Sequence, residues 1–178
     1  YHLSNTKEKP TFKWVHKTLG TNMRMTEIQA ATGRIQLRKL NLNIKRRRVL
    51  AKILDHGIKD SILFATQKAH KDYYNAYYKY YVFLNYEILK KNWNKPKIIN
   101  ILKKNKINVS VGSCPEIYNE KVFRNIKKYE KLTNANYLGK KSIAFTIHHY
   151  QKNSYLEKIS KILNKIEKKS LKKNKVNV

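Results

Sequence analysis

The 178-residue chain has room for one ordinary domain and a sizeable core, but not for two comfortable domains. Its formal net charge of +29, from 40 Lys and Arg against 11 Asp and Glu, points toward nucleic acid, an anionic membrane surface or a polyanionic substrate. A single cysteine, Cys114, excludes an intramolecular disulfide, and no apolar run approaches the roughly 20 residues that a membrane helix needs.

The charge has a second explanation. The excess is almost all Lys, accompanied from end to end by Asn, Ile and Tyr, residues that share A/T-rich codons. Drift in base composition produces such a chain without selection for a polyanion. Nucleic-acid binders more often gather Arg as well, because the guanidinium fork matches phosphate geometry, and here only "KRRR" at residues 45–48 does so. Cys114 reads as a small buried hydrophobe in a reducing cytoplasm. The start, "YHLSNTKEKPTFKW", has neither an initiator Met nor an apolar signal core, so it reads as an internal start in a soluble, cytoplasmic protein.

Along the chain, Thr26 with Gln29 three residues later makes a capping box, which predicts a helix start. Ile28, Ala31, Ile35 and Leu42 keep helical spacing behind it, while Ala30, Gly33 and Leu37 make a second, small-residue face. That pattern predicts a helix buried on most sides, at a subunit contact. Asn41 and Asn43 weaken it, and Ile44, Val49, Ile53 and Leu54 then resume the period up to Gly57, which predicts two consecutive helices with a bend.

"YYNAYYKYYVFLNY" favours a strand. Alternation puts Tyr74, Tyr78, Tyr80, Val82 and Leu84 on one face and Tyr73, Tyr77, Tyr81 and Phe83 on the other, and aromatics on both faces predict cover on both. A short amphipathic helix starts near Pro96, "NVSVGS" is a strand running into a loop, and residues 119–140 are short helices and loops. "KSIAFTIHH" is a further strand. The last helix carries Leu156, Ile159, Leu163 and Ile166 on one side. Alternation of this kind predicts an α/β or α+β fold with helices packed on a small sheet.

Three clusters carry chemistry. The loop "GTNMRMTEIQAATG" (residues 20–33) sets Asn22 and Arg24 just before a helix N-terminus, where free amides and the helix dipole attract an anion. A plain capped surface turn explains the same residues, with Glu27 simply complementing the dipole. His148 and His149, adjacent in a strand, point to opposite faces, so one is placed in a cleft or interface, and the pair does not share a metal. The Tyr/Lys run fits bases stacked on rings, although a strand buried on two sides accounts for it more simply, as a chain-end helix capping a sheet accounts for the Lys-rich tail better than a membrane does.

"FKWVHKTLGTNMRMTEIQAATGRIQLRKL" resembles the DegT/DnrJ/StrS family of pyridoxal-phosphate-dependent sugar aminotransferases. It matches an approximate pattern G-x-N-x-R-M-T-x-x-x-A-A-x-G-x-x-Q-L at Gly20, Asn22, Arg24, Met25, Thr26, Ala30, Ala31, Gly33, Gln36 and Leu37. "YKYYVFL", "IINILKKNKI", "VGSCPEIYNE" and "SIAFTIHHY" follow in register, so the likeness covers nearly the whole chain. It implies the C-terminal part of a fold-type I transferase: residues 1–40 a remnant of the large cofactor-binding domain, residues 41–178 a small α/β domain.

The activity so implied is transfer of an amino group from an amino acid, often glutamate, to a nucleotide-linked keto sugar, for surface polysaccharide or amino-sugar biosynthesis, by a homodimer using pyridoxal 5'-phosphate. By the same likeness Asn22 reaches the cofactor phosphate in the neighbouring subunit, Arg24 lies on the substrate side of that site, and His148 contacts substrate. The chain departs from the family at Thr21 and Met23, where aromatics are common, and at His149, where Pro often follows the His. The family's Schiff-base Lys, pyridinium-pairing acid and ring-stacking aromatic all precede the matched segment, so no catalytic residue is assigned and the isolated chain is expected to be inactive. A basic nucleic-acid-binding module and a fragment that only associates with a relative are the competing expectations.

Overall fold

The computed structural model describes residues 14–20, 23–67, 70–123, 125, 130 and 132–172. Helix α1, Glu27–Gly57, starts at the capping box: Gln29 N donates to Thr26 Oγ1 at 3.3 Å and Thr26 N to Gln29 Oε1 at 3.0 Å. The expected bend is absent, and one helix of 31 residues runs through Asn41 and Asn43. Asn in a helix costs only about 0.7 kcal/mol relative to Ala, too little to stop a helix that has no Pro in it. The helix is about 46 Å long.

Burial along α1 is lopsided, which corrects a second expectation. Leu50, Ala51 and Leu54 are fully buried, whereas Ile28 is 80% exposed and Leu42 70%, with Ile35 and Leu37 exposed between them. A Cβ added to Gly33 would meet nothing within 4 Å. The small-residue face therefore has no partner among the described residues, and only the last two turns or so of the helix join the core.

The rest is a four-stranded antiparallel sheet, β1 Phe64–Thr66, β2 Lys79–Leu84, β3 Val109–Ser110 and β4 Ser142–Thr146, in the order β1-β2-β4-β3. Helices α2, Lys95–Lys104, and α4, Asn153–Ser170, join the end of α1 against one face. The register places Leu84 opposite Phe64, Val82 opposite Ile143, and Phe145 between Tyr80 and Val109. These side chains are buried together with Ile98, Ile99 and Leu102 of α2 and with Leu156, Ile159, Leu163 and Ile166 of α4, as the helical spacing predicts. Asn94 caps α2, its Oδ1 accepting from Lys97 N at 2.9 Å, with Pro96 in the first turn. Helix α3, Thr133–Lys141, precedes β4, and a Cβ on its Gly139 would overlap the ring of Pro115.

Strand β1 was not predicted, and β2 is shorter than the Tyr run suggests. Asn75 Oδ1 accepts from Tyr77 N at 2.8 Å, closing an Asx turn, and Tyr77 adopts φ 47°. Pairing cannot start before that left-handed residue, so Tyr73, Tyr74 and Tyr78 lie exposed rather than in a two-sided core. Arg48 stacks over the Tyr74 ring at 4.1 Å and Lys79 over Tyr78 at 5.9 Å. Tyr80 is buried, and its hydroxyl donates to Asp55 Oδ1 at 2.6 Å. Burial, reinforced by that carboxylate, holds its phenol far above the usual range, so it stays a donor.

Gly57, at the end of α1, lies against α4: a Cβ there would overlap the Oγ and Cβ of Ser160. Gly57→Ala should cost about 1–3 kcal/mol by overpacking. Urea unfolding of the single variant and of Gly57→Ala with Ser160→Gly checks this, since the second change opens the space and should recover most of the loss.

Candidate functional site

The predicted anion loop ends at the cap of α1. Asn22 lies outside the described residues. Arg24 is exposed, two residues before Thr26. The first-turn amides are shared out unevenly: Gln29 N goes to the Thr26 side chain and Ala30 N to Thr26 O at 2.9 Å. Those of Glu27 and Ile28 have no acceptor within the helix. An exposed guanidinium, two amides of this kind and the positive end of a long dipole form a donor set for a phosphate or carboxylate, although Glu27 beside them already offsets part of the dipole.

A turn closed by the Gln151 side chain holds His148. β4 ends at Thr146, before the histidines, because Gln151 folds back: His148 N donates to Gln151 Oε1 at 2.8 Å and Gln151 Nε2 to Thr146 O at 3.1 Å. The two rings therefore do not diverge as they would in a strand. They stack at 4.3 Å, and Tyr150 lies 4.0 Å from His149 and 5.0 Å from His148. Arg46 of α1 donates to Gln151 O at 2.9 Å, and burial, then the charges of His148, Arg47 and Lys39, lower the His149 pKa, favouring a neutral ring. Next to this turn Gln151, Lys152, Ser154, Tyr155 and Lys158 line an open cavity of about 390 Å³.

Arg24 and His148 are not brought together. The His148 turn packs near residues 46 and 47 of α1, about 20 residues beyond its start, which is about 30 Å along the axis.

What sequence reasoning missed lies in the loop after β3. Glu116 accepts from the hydroxyl of Tyr118 and from Asn136 Nδ2 of α3 at 2.8 Å. Glu120 sits between two 3₁₀ turns, Ile117–Asn119 and Lys121–Phe123, and is 3% exposed. It reaches across 104 residues of sequence to His16, accepting from His16 N at 2.9 Å and pairing with His16 Nδ1 at 2.9 Å. A buried carboxylate in a lysine-rich chain was the available signal, but burial is not visible in "PEIYNE".

Cys114 is exposed in this loop, which corrects its reading as a buried hydrophobe. Partial burial, with Glu120 and Glu116 nearby, pushes the thiol above its ordinary value, the opposite of what an activated nucleophile requires. Among the lysines, Lys95 is half-buried, and that burial lowers its pKa. Its Nζ donates to Gly139 O at 2.9 Å, tying α2 to α3. Among the described residues no three His, Cys, Asp or Glu side chains gather as metal ligands, and no helix is long and apolar enough to cross a membrane.

Residues 2–167 match the model of the DegT/DnrJ/EryC1/StrS aminotransferase family. An uncharacterized protein of Methanocaldococcus jannaschii is 30% identical over 139 residues, which cover 76% of this chain and 35% of that protein. The fold superposes on the X-ray structure of the aminotransferase from Psychrobacter cryohalolentis with a TM-score of 0.73 and 26% identity, covering 90% of this chain and 43% of that one. Helicobacter pylori PseC, an aminotransferase involved in the biosynthesis of pseudoaminic acid, gives a TM-score of 0.72 at 22% identity, over 86% of this chain and 40% of that one. The chain thus spans less than half the length of each.

Proposed function

The chain belongs to the DegT/DnrJ/EryC1/StrS aminotransferase family, and on that premise we propose that it is the C-terminal segment of a pyridoxal-phosphate-dependent enzyme of amino-sugar or surface-polysaccharide biosynthesis. The enzyme transfers an amino group from an amino acid, glutamate in this reading, to a nucleotide-linked keto sugar. It works as a homodimer in the cytoplasm. Residues 1–40 belong to the cofactor domain and residues 41–178 to the small domain, with α1 passing from one to the other.

The observation that carries this reading is the Arg24 loop at the cap of α1. Its donor set fits a phosphate or carboxylate, and it lies at the end of α1 where the apolar side chains Ile28, Ile35, Leu37 and Leu42 are exposed. When bound, pyridoxal phosphate supplies the electron sink and carries the amino group. The residues of this chain bind and orient: Asn22 donates to the cofactor phosphate, Arg24 holds an anionic group of the substrate, and His148 contacts substrate. The separation of about 30 Å along α1 supports assigning Arg24 and His148 to different sites of the dimer, with the Arg24 loop lent to the partner's site.

The test is spectroscopic. Full-length protein mixed with pyridoxal phosphate should develop a visible cofactor band that fades on addition of glutamate, while the 178-residue chain alone should develop none. Absence of the band in the full-length protein overturns the reading.

A further inference from the structure

We infer that Glu120 is a positioning residue for Arg24: its buried carboxylate clasps the main chain and ring of His16 and so fixes the upstream end of the stretch that carries the Arg24 guanidinium. The inference rests on the proposal that this stretch binds an anionic group.

Three contacts make the clasp. Glu120 accepts from His16 N and pairs with His16 Nδ1, and the carbonyl of His16 accepts from Val122 N at 2.9 Å. Two of the three involve the His16 main chain, so the segment is held by its backbone as well as its ring. The carboxylate is the buried member, 4% exposed in its side chain against 64% for the His16 ring, so the small domain provides the fixed half of the clasp. Burial alone would raise the Glu120 pKa, but the hydrogen bonds and charge of His16 outweigh it and hold the group below the ordinary carboxylate range. A carboxylate is costly to bury unless it is paired, and here its partner comes from the far end of the chain.

The second anchor is the Thr26 cap, ten residues after His16. Arg24 lies between two fixed points. Releasing one of them multiplies the conformations open to the stretch, and each of these must be given up again when the guanidinium meets its anion. Glu120 acts on binding through this restriction, without touching the ligand.

The test uses the full-length protein and three variants, Glu120→Ala, Glu120→Gln and His16→Ala, with two readouts. The first is native-state trypsin cleavage after the exposed Lys17, followed by mass spectrometry. Glu120→Ala should speed it about 10-fold or more, whereas Glu120→Gln, which still accepts from His16 N, should stay within about 3-fold of the parent. His16→Ala, a change at an exposed ring, should fall between them and serves if Glu120→Ala does not fold.

The second readout is the dissociation constant for a nucleoside diphosphate sugar, titrated against the cofactor absorbance of the loaded protein. It should rise about 5- to 10-fold in Glu120→Ala, and less than additively when combined with Arg24→Ala. Parent-like cleavage and parent-like binding in both Glu120→Ala and His16→Ala overturn the inference, as does full additivity with Arg24→Ala. If the parent itself binds no pyridoxal phosphate while cleavage at Lys17 still responds to Glu120, the clasp stands and the aminotransferase reading fails.

Discussion

In the full-length enzyme, Arg24→Ala should weaken affinity for a nucleoside diphosphate sugar by about 10- to 100-fold while leaving the melting temperature of the protein unchanged. The range follows from the 1.5–3 kcal/mol typical of hydrogen bonds to charged groups, at about 1.4 kcal/mol per tenfold change. Stability should not move, because Arg24 is exposed and lies outside the helix. Arg24→Lys should recover only a small part of the affinity: a single ammonium keeps the charge but not the planar fork that grips two oxygens at once. Titration of the sugar against the cofactor absorbance gives both constants. Equal affinity in parent and Arg24→Ala would remove this residue from the binding site.

The largest effect on stability is expected at Phe145. It is fully buried in β4, one of the two strands paired on both sides, and stands between Tyr80 and Val109 across the sheet. Phe145→Ala removes the ring from the middle of the core and should cost about 3–5 kcal/mol. Against the 5–15 kcal/mol that ordinary domains possess, that leaves little. The midpoint of urea unfolding should drop sharply with little change in slope. Tyr137→Ala, at an exposed ring of α3, should stay within about 0.5 kcal/mol of the parent and controls for loss of an aromatic as such.

Local chemistry was legible in the sequence, and long-range chemistry was not. The cap of α1 depends on Thr26 and Gln29, three residues apart, and the buried stripe of α4 on a spacing of three and four, so both could be read directly. β1 has three residues, too few for any alternation to register. The Tyr run misled because the Asx turn at Asn75 and the left-handed Tyr77 override the β preference of the rings around them. The histidines were misplaced for a similar reason, since one glutamine side chain, Gln151, ends β4 two residues before the stacked pair. The clasp between Glu120 and His16 joins positions 104 apart, and nothing in either neighbourhood names the other.

The small-residue face of α1 shows a different kind of gap. Its pattern predicts a contact surface, but the expected burial is missing because no described element packs there. Pattern reports what a surface is built to meet, and a single chain shows only whether the partner is present.

That asymmetry has a consequence for how the molecule holds together. In this chain the cooperative unit begins near Leu50, inside a continuous helix, rather than at the helix start. Upstream of Arg46, whose guanidinium donates to Gln151 O, the turns of α1 rest on their own hydrogen bonds, the cap and weak intrinsic propensity, which leaves an isolated stretch of some 20 residues only marginally helical. The same peptide ladder is thus braced by the core at one end and by the Thr26 cap at the other, and whatever docks on its upstream half adds to what that cap holds in place near Arg24.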